Sequence, residues 1–349
     1  MPHPAGDPPV PPASGATPFT PFDAEGGLIL ATRLPGEPGD FDKPRRGFDD
    51  LDRPDDPPPL WVHLDRTRPR AQRWLRERAG LDAIVADALL AEETRPRADA
   101  FGQGLLVILR GINMNPGAEP DELISVRMWF EPARIITLRQ HRFQTIADLR
   151  VRAEAGKAPA TAGLFLAAVA QGLASRITPT IGNLEEMLDD IEDEMLDRES
   201  DDPARRSQLS TIRRQAITYR RYLVPQRDAL SALANGRSEL LSQREQAEIR
   251  VALEQTTRVC EALEELRDRA AVTQEEMRAR HEARIGRTLY LLTIVATVML
   301  PLSFITGLLG INVGGIPLAD SALGFTVVCV FMLGVAAIEV WWFRRKRWL

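Results

Sequence analysis

The side chains in this 349-residue chain that could hold a metal or run acid–base chemistry are few, and their spacing narrows what they do. Four histidines, His3, His63, His141 and His281, are scattered without HxxxH or HExxH spacing, which argues against a conventional zinc hydrolase. Cys260 and Cys329 stand on either side of a strongly apolar segment and support neither a disulfide framework nor a Cys-based structural metal site. No GxGxxG or GxxxxGK[ST] pattern follows a strand-like run, so no loop is built to cradle phosphates. Nor does an acid–base pair or a nucleophile with its base stand out, and we expect no enzyme. What remains is oxygen chemistry. Residues 185–202 hold eleven Asp or Glu and one basic residue, Arg198, while 203–227 hold seven Arg and no acid. Asp189, Asp190, Asp193 and Asp197 in that run are candidates for drawing cations. Equally, the two stretches make a helical hairpin whose arms attract each other. Near the C-terminus, Gly310-Ile311-Asn312 places the carbonyl of Asn312 among glycines that allow close backbone approach. Repeated round an oligomer, such oxygens would hold a hydrated cation without trapping it. Asp320, the only charge in the same loop, either draws cations or caps the helix that follows.

The tripeptide alone carries little, since Gly111-Ile112-Asn113 repeats it elsewhere. Its position gives it meaning. The mean hydropathy of −0.18 hides two apolar runs. Leu289–Leu309 has no charge, and Ala322–Phe343 carries only Glu339. At about 1.5 Å per residue each gives roughly 30 Å of helix, the thickness of a bilayer core. The loop Gly310–Ser321 between them has no Lys or Arg. Arg278, Arg280, Arg284 and Arg287 precede the first span, and Arg344, Arg345, Lys346 and Arg347 follow the second. The positive-inside rule then puts both termini in the cytoplasm and the loop outside. Trp341, Trp342 and Trp348 suit interfacial anchors, and the N-terminus has no signal-peptide pattern. With 49 acidic against 44 basic residues and a net charge of −5, the chain gives no case for a nucleic-acid partner.

The preceding part divides by composition. Residues 1–20 are Pro-rich and predict a disordered tail. Residues 21–160 predict a mixed α/β domain, with strands at Gly27–Thr32, Leu60–Asp65, Gly104–Asn113, Ile124–Phe130 and Arg134–Arg139. Helical patterns fall at Arg68–Ala79, Asp82–Glu93 and Phe143–Glu154. Residues 161–288 predict a helical hairpin and a stalk, and 289–349 a membrane hairpin with a basic tail. The apolar run 161–174 is too short to span and reads as a buried helix. The stalk begins near Ser238 and meets no Pro or Gly until Gly286. It can run to Gly310, roughly 70 residues or about 105 Å. A rod of that length suits a stalk that oligomerises and enters a membrane.

At 100° per residue, Leu289, Leu292, Ala296, Leu300, Ser303 and Gly307 share one face of the first span. Such a stripe of small residues and leucines suits a pore helix that gates by dewetting. It suits an ordinary helix–helix contact as well. Two spans in one monomer cannot enclose a pore, so transport requires an oligomer.

The segment LLTIVATVMLPLSFITGLLGIN, residues 291–312, followed by VGGIP, closely resembles the CorA superfamily of metal-ion transporters, marked by a Gly-x-Asn signature at the end of its first span. Ile311 within GLLGINVGGIP resembles the ZntB branch of zinc transporters. WVHLD (61–65), RGINMN (110–115) and MWFEPARIITLR (128–139) are similar to that branch's soluble domain. The resemblance covers the whole chain. It implies a CorA-like funnel: a homopentamer in the inner membrane, with an α/β cytoplasmic domain, a long stalk helix and two C-terminal transmembrane helices. It implies that Gly310, Ile311 and Asn312 form an outer selectivity ring, with Leu289, Leu292, Leu300 and Ser303 lining the pore. It further implies zinc import, with proton coupling proposed, zinc being the transported substrate rather than a resident cofactor. The expected partners are other copies of the chain, membrane lipids and divalent ions. Outer-loop oxygens suit a hydrated divalent ion and do not separate Zn²⁺ from Mg²⁺, Co²⁺ or Ni²⁺. A CorA-type Mg²⁺/Co²⁺ channel is therefore the nearest alternative, and a membrane-anchored sensor or scaffold a more distant one.

Overall fold

A computed structural model describes residues 26–34, 48, 51, 59–119, 121–197, 203–236, 239–310 and 323–346, which fall into two units, Met1–Ala271 and Val272–Leu349. The expected tail 1–20 lies outside the described residues. In the first unit, runs rich in Leu, Ile, Val and Trp form six strands: β1 (Leu28–Arg33), β2 (Leu60–Asp65), β3 (Arg97–Phe101), β4 (Gly104–Ile112), β5 (Leu123–Glu131) and β6 (Arg134–Arg139). They make one sheet in the order β1-β2-β6-β5-β4-β3, parallel between β2 and β6 and antiparallel elsewhere. Side chains alternate across a strand, and here both faces are covered, so the central strands are apolar throughout. On β4, Leu105, Val107 and Leu109 join one core, while Leu106 and Ile108 join another. The second core closes under α1 (Pro69–Glu77) and α2 (Ala83–Leu90) through Trp74, Leu75, Val85 and Leu89. The first closes under α3 (Gln144–Glu154), α4 (Ala162–Asp197), α5 (Pro203–Asn235) and the start of α6 (Gln243–Leu309).

Strand β3 went unread in the sequence. It is an edge strand on which Arg97 and Asp99 stand out from the sheet, and it lacks an apolar run. Its pairing with β4 turns at Gly102, whose φ of +57° suits glycine. Helix α2 stops at Leu90 rather than Glu93 because its last carbonyls are taken. Buried Arg127 donates to Leu89 O (2.9 Å), to Ala91 O and to Glu92 O (3.2 Å). Burial lowers the pKa of this guanidinium to about 10, which leaves it charged at neutral pH and suited to a helix C-terminus.

The run 161–174 is a buried helical segment, as its length predicted. Phe165, Leu166, Val169, Ala170 and Leu173 are each buried against the sheet. Among the described residues, α4 is nevertheless one of three helices long and apolar enough to cross a membrane, with α6 and α7 (Gly324–Arg345) the others. Helix α6 begins at Gln243 rather than near Ser238, because Ser242 and Glu245 form a capping box. The Glu245 carboxylate accepts from Ser242 N (2.7 Å) and Ser242 Oγ (2.8 Å), and Glu245 N donates to Ser242 Oγ (3.3 Å). The same carboxylate accepts from the Thr161 hydroxyl, and Thr161 Oγ1 in turn accepts from Leu164 N at the start of α4 (3.2 Å). One buried glutamate thus ties two helix N-termini together. Gly163 makes room for it, since a Cβ there would sit 2.4 Å from the carboxyl carbon.

The acidic and basic stretches become the end of α4 and the start of α5, and the acids reach two helices. Glu194 pairs with Arg205 of α5. Asp189 and Glu192 pair with Arg269 of α6, each at 2.5 Å, and these bonds raise the guanidinium pKa still further.

Candidate ion pathway

In the second unit α6 and α7 each carry a half-buried series of side chains. On α6 these are Ile294, Val298, Pro301, Leu302, Ile305 and Leu309; on α7 they are Val328, Cys329, Met332, Val335, Ala336 and Glu339. Both sets follow the three- and four-residue steps of a helical seam. The stripe read from the sequence lies elsewhere. Leu289, Leu292, Ala296, Leu300, Ser303 and Gly307 are all exposed, with Leu300 at 74 %. At 100° per residue the stripe points about 180° away from the seam. The half-buried series therefore lies opposite the side that the small residues mark. The seam was itself legible, as a second apolar series half a turn round the helix, and sequence reasoning missed it. It also missed that Glu339 falls in the half-buried series of α7.

The polar side chains of the span are mostly committed to its own backbone. Thr293 Oγ1 donates to Leu289 O (2.8 Å), Thr297 Oγ1 to Thr293 O (2.7 Å) and Thr306 Oγ1 to Ser303 O (3.0 Å). The helix closes at Gly310, whose N–H donates to Thr306 O (2.9 Å). Ile311, Asn312 and Asp320 lie outside the described residues. Ahead of the apolar run, Arg278 bonds Glu282 (3.1 Å) and Arg280 bonds Glu276 (2.5 Å). At the end of α7 the Arg345 guanidinium lies 5.6 Å over the Trp341 ring, which suits a basic, aromatic interfacial belt.

The other candidates are dispersed. Asp190 and Asp193 are exposed on α4, Asp189 is engaged by Arg269, and Asp197 is the last residue of that helix. Among the described residues no group of three or more His, Cys, Asp or Glu could hold a metal ion. His63 is buried on β2. Its Nδ1 lies 2.8 Å from Thr137 Oγ1, to which Trp61 Nε1 donates at 2.9 Å. Burial, with Arg139 nearby, lowers its pKa to about 3, so it stays neutral inside the sheet. His141 is exposed, and Cys260 is a buried packing residue on α6 whose thiol burial pushes up to about 11.

Comparison with known proteins follows this geometry. The profile of the family described as "CorA-like Mg2+ transporter protein" matches residues 59–345. The "Divalent cation transporter CmaX" of Pseudomonas aeruginosa is 42 % identical over 291 residues, spanning 83 % of this chain and 87 % of the relative. The "Zinc transport protein ZntB" of Yersinia pseudotuberculosis is 32 % identical over 291 residues, spanning 83 % of this chain and 88 % of the relative. The solved structure of full-length CmaX superposes with a TM-score of 0.79 at 41 % identity, covering 93 % of this chain and 99 % of that one.

Proposed function

The chain belongs to the CorA-like Mg²⁺ transporter protein family, a family of divalent cation transporters, and we propose that it carries zinc across the inner membrane as a homopentamer. The observation that supports this reading most is the contrast of two faces on α6: one carries a half-buried series, and the opposite one presents Ala296, Leu300, Ser303 and Gly307 exposed. Two spans of a single chain cannot enclose a path along that stripe. Brought together round an axis, five copies enclose a narrow path lined by leucines, alanine and a hydroxyl. Gly310, Ile311 and Asn312 form the ring at its outer end, where Asn oxygens replace outer-shell water. The ion then passes largely hydrated along the stripe, past Leu300 and Leu289. Residues 21–160 and 161–288 make up the cytoplasmic part, 289–349 the membrane hairpin, and both termini are cytoplasmic.

Zinc is favoured by the GIN context and by the ZntB relatives. A second reading, Mg²⁺ or Co²⁺ conduction, is favoured by the absence of His and Cys from the stripe and the outer loop. The substitution Asn312→Ala separates filter from anchor. It should abolish or strongly alter uptake while the assembled protein keeps its mass. Undisturbed transport and selectivity would overturn the filter assignment.

A further inference from the structure

The stalk balances its charges along its length until it meets the apolar run. Arg258 pairs with Glu254, Arg267 with Asp268 (2.7 Å), Arg278 with Glu282 (3.1 Å) and Arg280 with Glu276 (2.5 Å). Past Glu282 this stops. Residues 283–349 hold two acids, Asp320 and Glu339, against six Arg or Lys. Asp320 belongs to the loop between α6 and α7, and Glu339 falls in the half-buried series of α7. Arg284 and Arg287 on α6, and Arg344, Arg345 and Lys346 at the end of α7, are exposed and make no ion pair among the described residues.

The faces on which these cations stand decide what can meet them. At 100° per residue, Arg284 and Arg287 lie about 120–180° from the stripe of Ala296, Leu300, Ser303 and Gly307. They stand off the proposed pathway, where a guanidinium would repel a divalent cation. On α7, Trp341, Arg344 and Arg345 lie about 180° from the half-buried series. They continue the exposed apolar row of Val327, Val330 and Ile338. A row of this kind suits acyl chains, and here it ends in an indole and two guanidiniums, with Arg345 5.6 Å over the Trp341 ring. Indoles settle at headgroup level in a bilayer, where basic side chains beside them meet phosphates.

We propose that this end of the hairpin selects anionic phospholipid headgroups over zwitterionic ones. Arg284, Arg287, Arg344, Arg345 and Lys346 supply a positive belt that the chain leaves uncompensated. The inference rests on the membrane hairpin of the proposed function and not on the ion carried. The test is quenching of tryptophan fluorescence in the full-length protein. It is reconstituted into mixed vesicles of phosphatidylcholine and phosphatidylglycerol, with brominated chains on one lipid or the other. Bromine quenches indoles close to it, so Trp341 and Trp342 report, while Trp61, Trp74 and Trp129 are buried in the first unit. Phosphatidylglycerol should be preferred at these indoles by about five-fold or more, the effect of one cation near an anionic surface. Replacing all five cations by Gln should abolish the preference. Replacing the four arginines by Lys, which keeps the charge, should preserve it. Equal quenching by the two lipids in the wild type, or a preference unchanged by the Gln substitutions, would overturn the proposal. Loss of the preference in the Lys variant would overturn its basis in charge. Absence of quenching by either lipid would overturn it together with the membrane hairpin, which keeps the two failures distinct.

Discussion

Replacing Glu245 by alanine tests the joint between α4 and α6. In the wild type the carboxylate, 7 % exposed, accepts from Ser242 N, from Ser242 Oγ and from the Thr161 hydroxyl. A capping contact alone is worth about 0.5–2 kcal/mol, and a hydrogen bond to a charged group about 1.5–3 kcal/mol. The two hydroxyls can turn to other acceptors, whereas Ser242 N–H cannot. The net loss should be about 2–3 kcal/mol. At roughly 2–4 °C per kcal/mol for a domain of this size, that lowers the melting temperature by about 4–12 °C. Thermal unfolding of the detergent-solubilised protein, followed by tryptophan fluorescence, reads it directly. Acid supplies a second arm. Burial pushes this carboxyl up, but bonds from Thr161, Ser242 and Leu164 outweigh burial and hold it below its ordinary value. A lowered carboxyl pKa contributes stability above the unfolded value, near 4.3, and loses it as pH falls through the folded value. The gap between wild type and Glu245→Gln should therefore shrink below about pH 4.3. A melting temperature unchanged in Glu245→Ala would refute the joint.

Three further outcomes follow from other parts of the molecule. His63, with its pKa lowered to about 3 from an ordinary value of about 6.5, takes up a proton on unfolding between those two pH values, so its contribution to stability is present above the unfolded value and lost as pH falls toward 3. Its ring resonances should stay fixed between neutral pH and pH 4–5, on the order of the window just given; titration near 6.5 would contradict its burial. In a background of Cys260→Ser and Cys329→Ser, Leu300→Cys and Ser303→Cys should react with a charged, membrane-impermeant thiol reagent, while Val298→Cys and Ile305→Cys should not. Equal protection at all four positions would place the stripe against lipid. Changing Asp189, Asp190, Asp193 and Asp197 together to Asn should alter the cation dependence of transport, and an unchanged dose response would leave them as solubilising charges.

Much of this architecture is written locally. The strands β2, β4, β5 and β6 are continuous runs of large apolar residues because helices cover both faces of the sheet. The two C-terminal helices long and apolar enough to cross a membrane follow from length and near-absence of charge, and the stripe from a 100° step. The unread parts depend on distant partners. Edge strand β3 exists because β4 offers it a ladder, and α2 ends where Arg127, 37 residues beyond Leu90, reaches its carbonyls. The partner of the acidic run is equally remote: Arg269 lies 80 residues from Asp189. Of the site, the exposed stripe of α6 was read from the 100° step, and the half-buried series opposite it, legible by the same step, was not read. The residues Ile311 and Asn312, the centre of the filter proposal, rest on sequence and resemblance.

The central claim is conduction, and flux measures it most directly. The purified oligomer is placed in liposomes loaded with a zinc-sensitive dye, with and without a pH gradient, and the experiment is repeated with Mg²⁺ and a matching indicator. Zinc entry that is lost in Asn312→Ala is the predicted result, and an increase with the gradient would add proton coupling. Flux of neither ion from a verified oligomer would contradict the transport reading and leave the hairpin as an anchor.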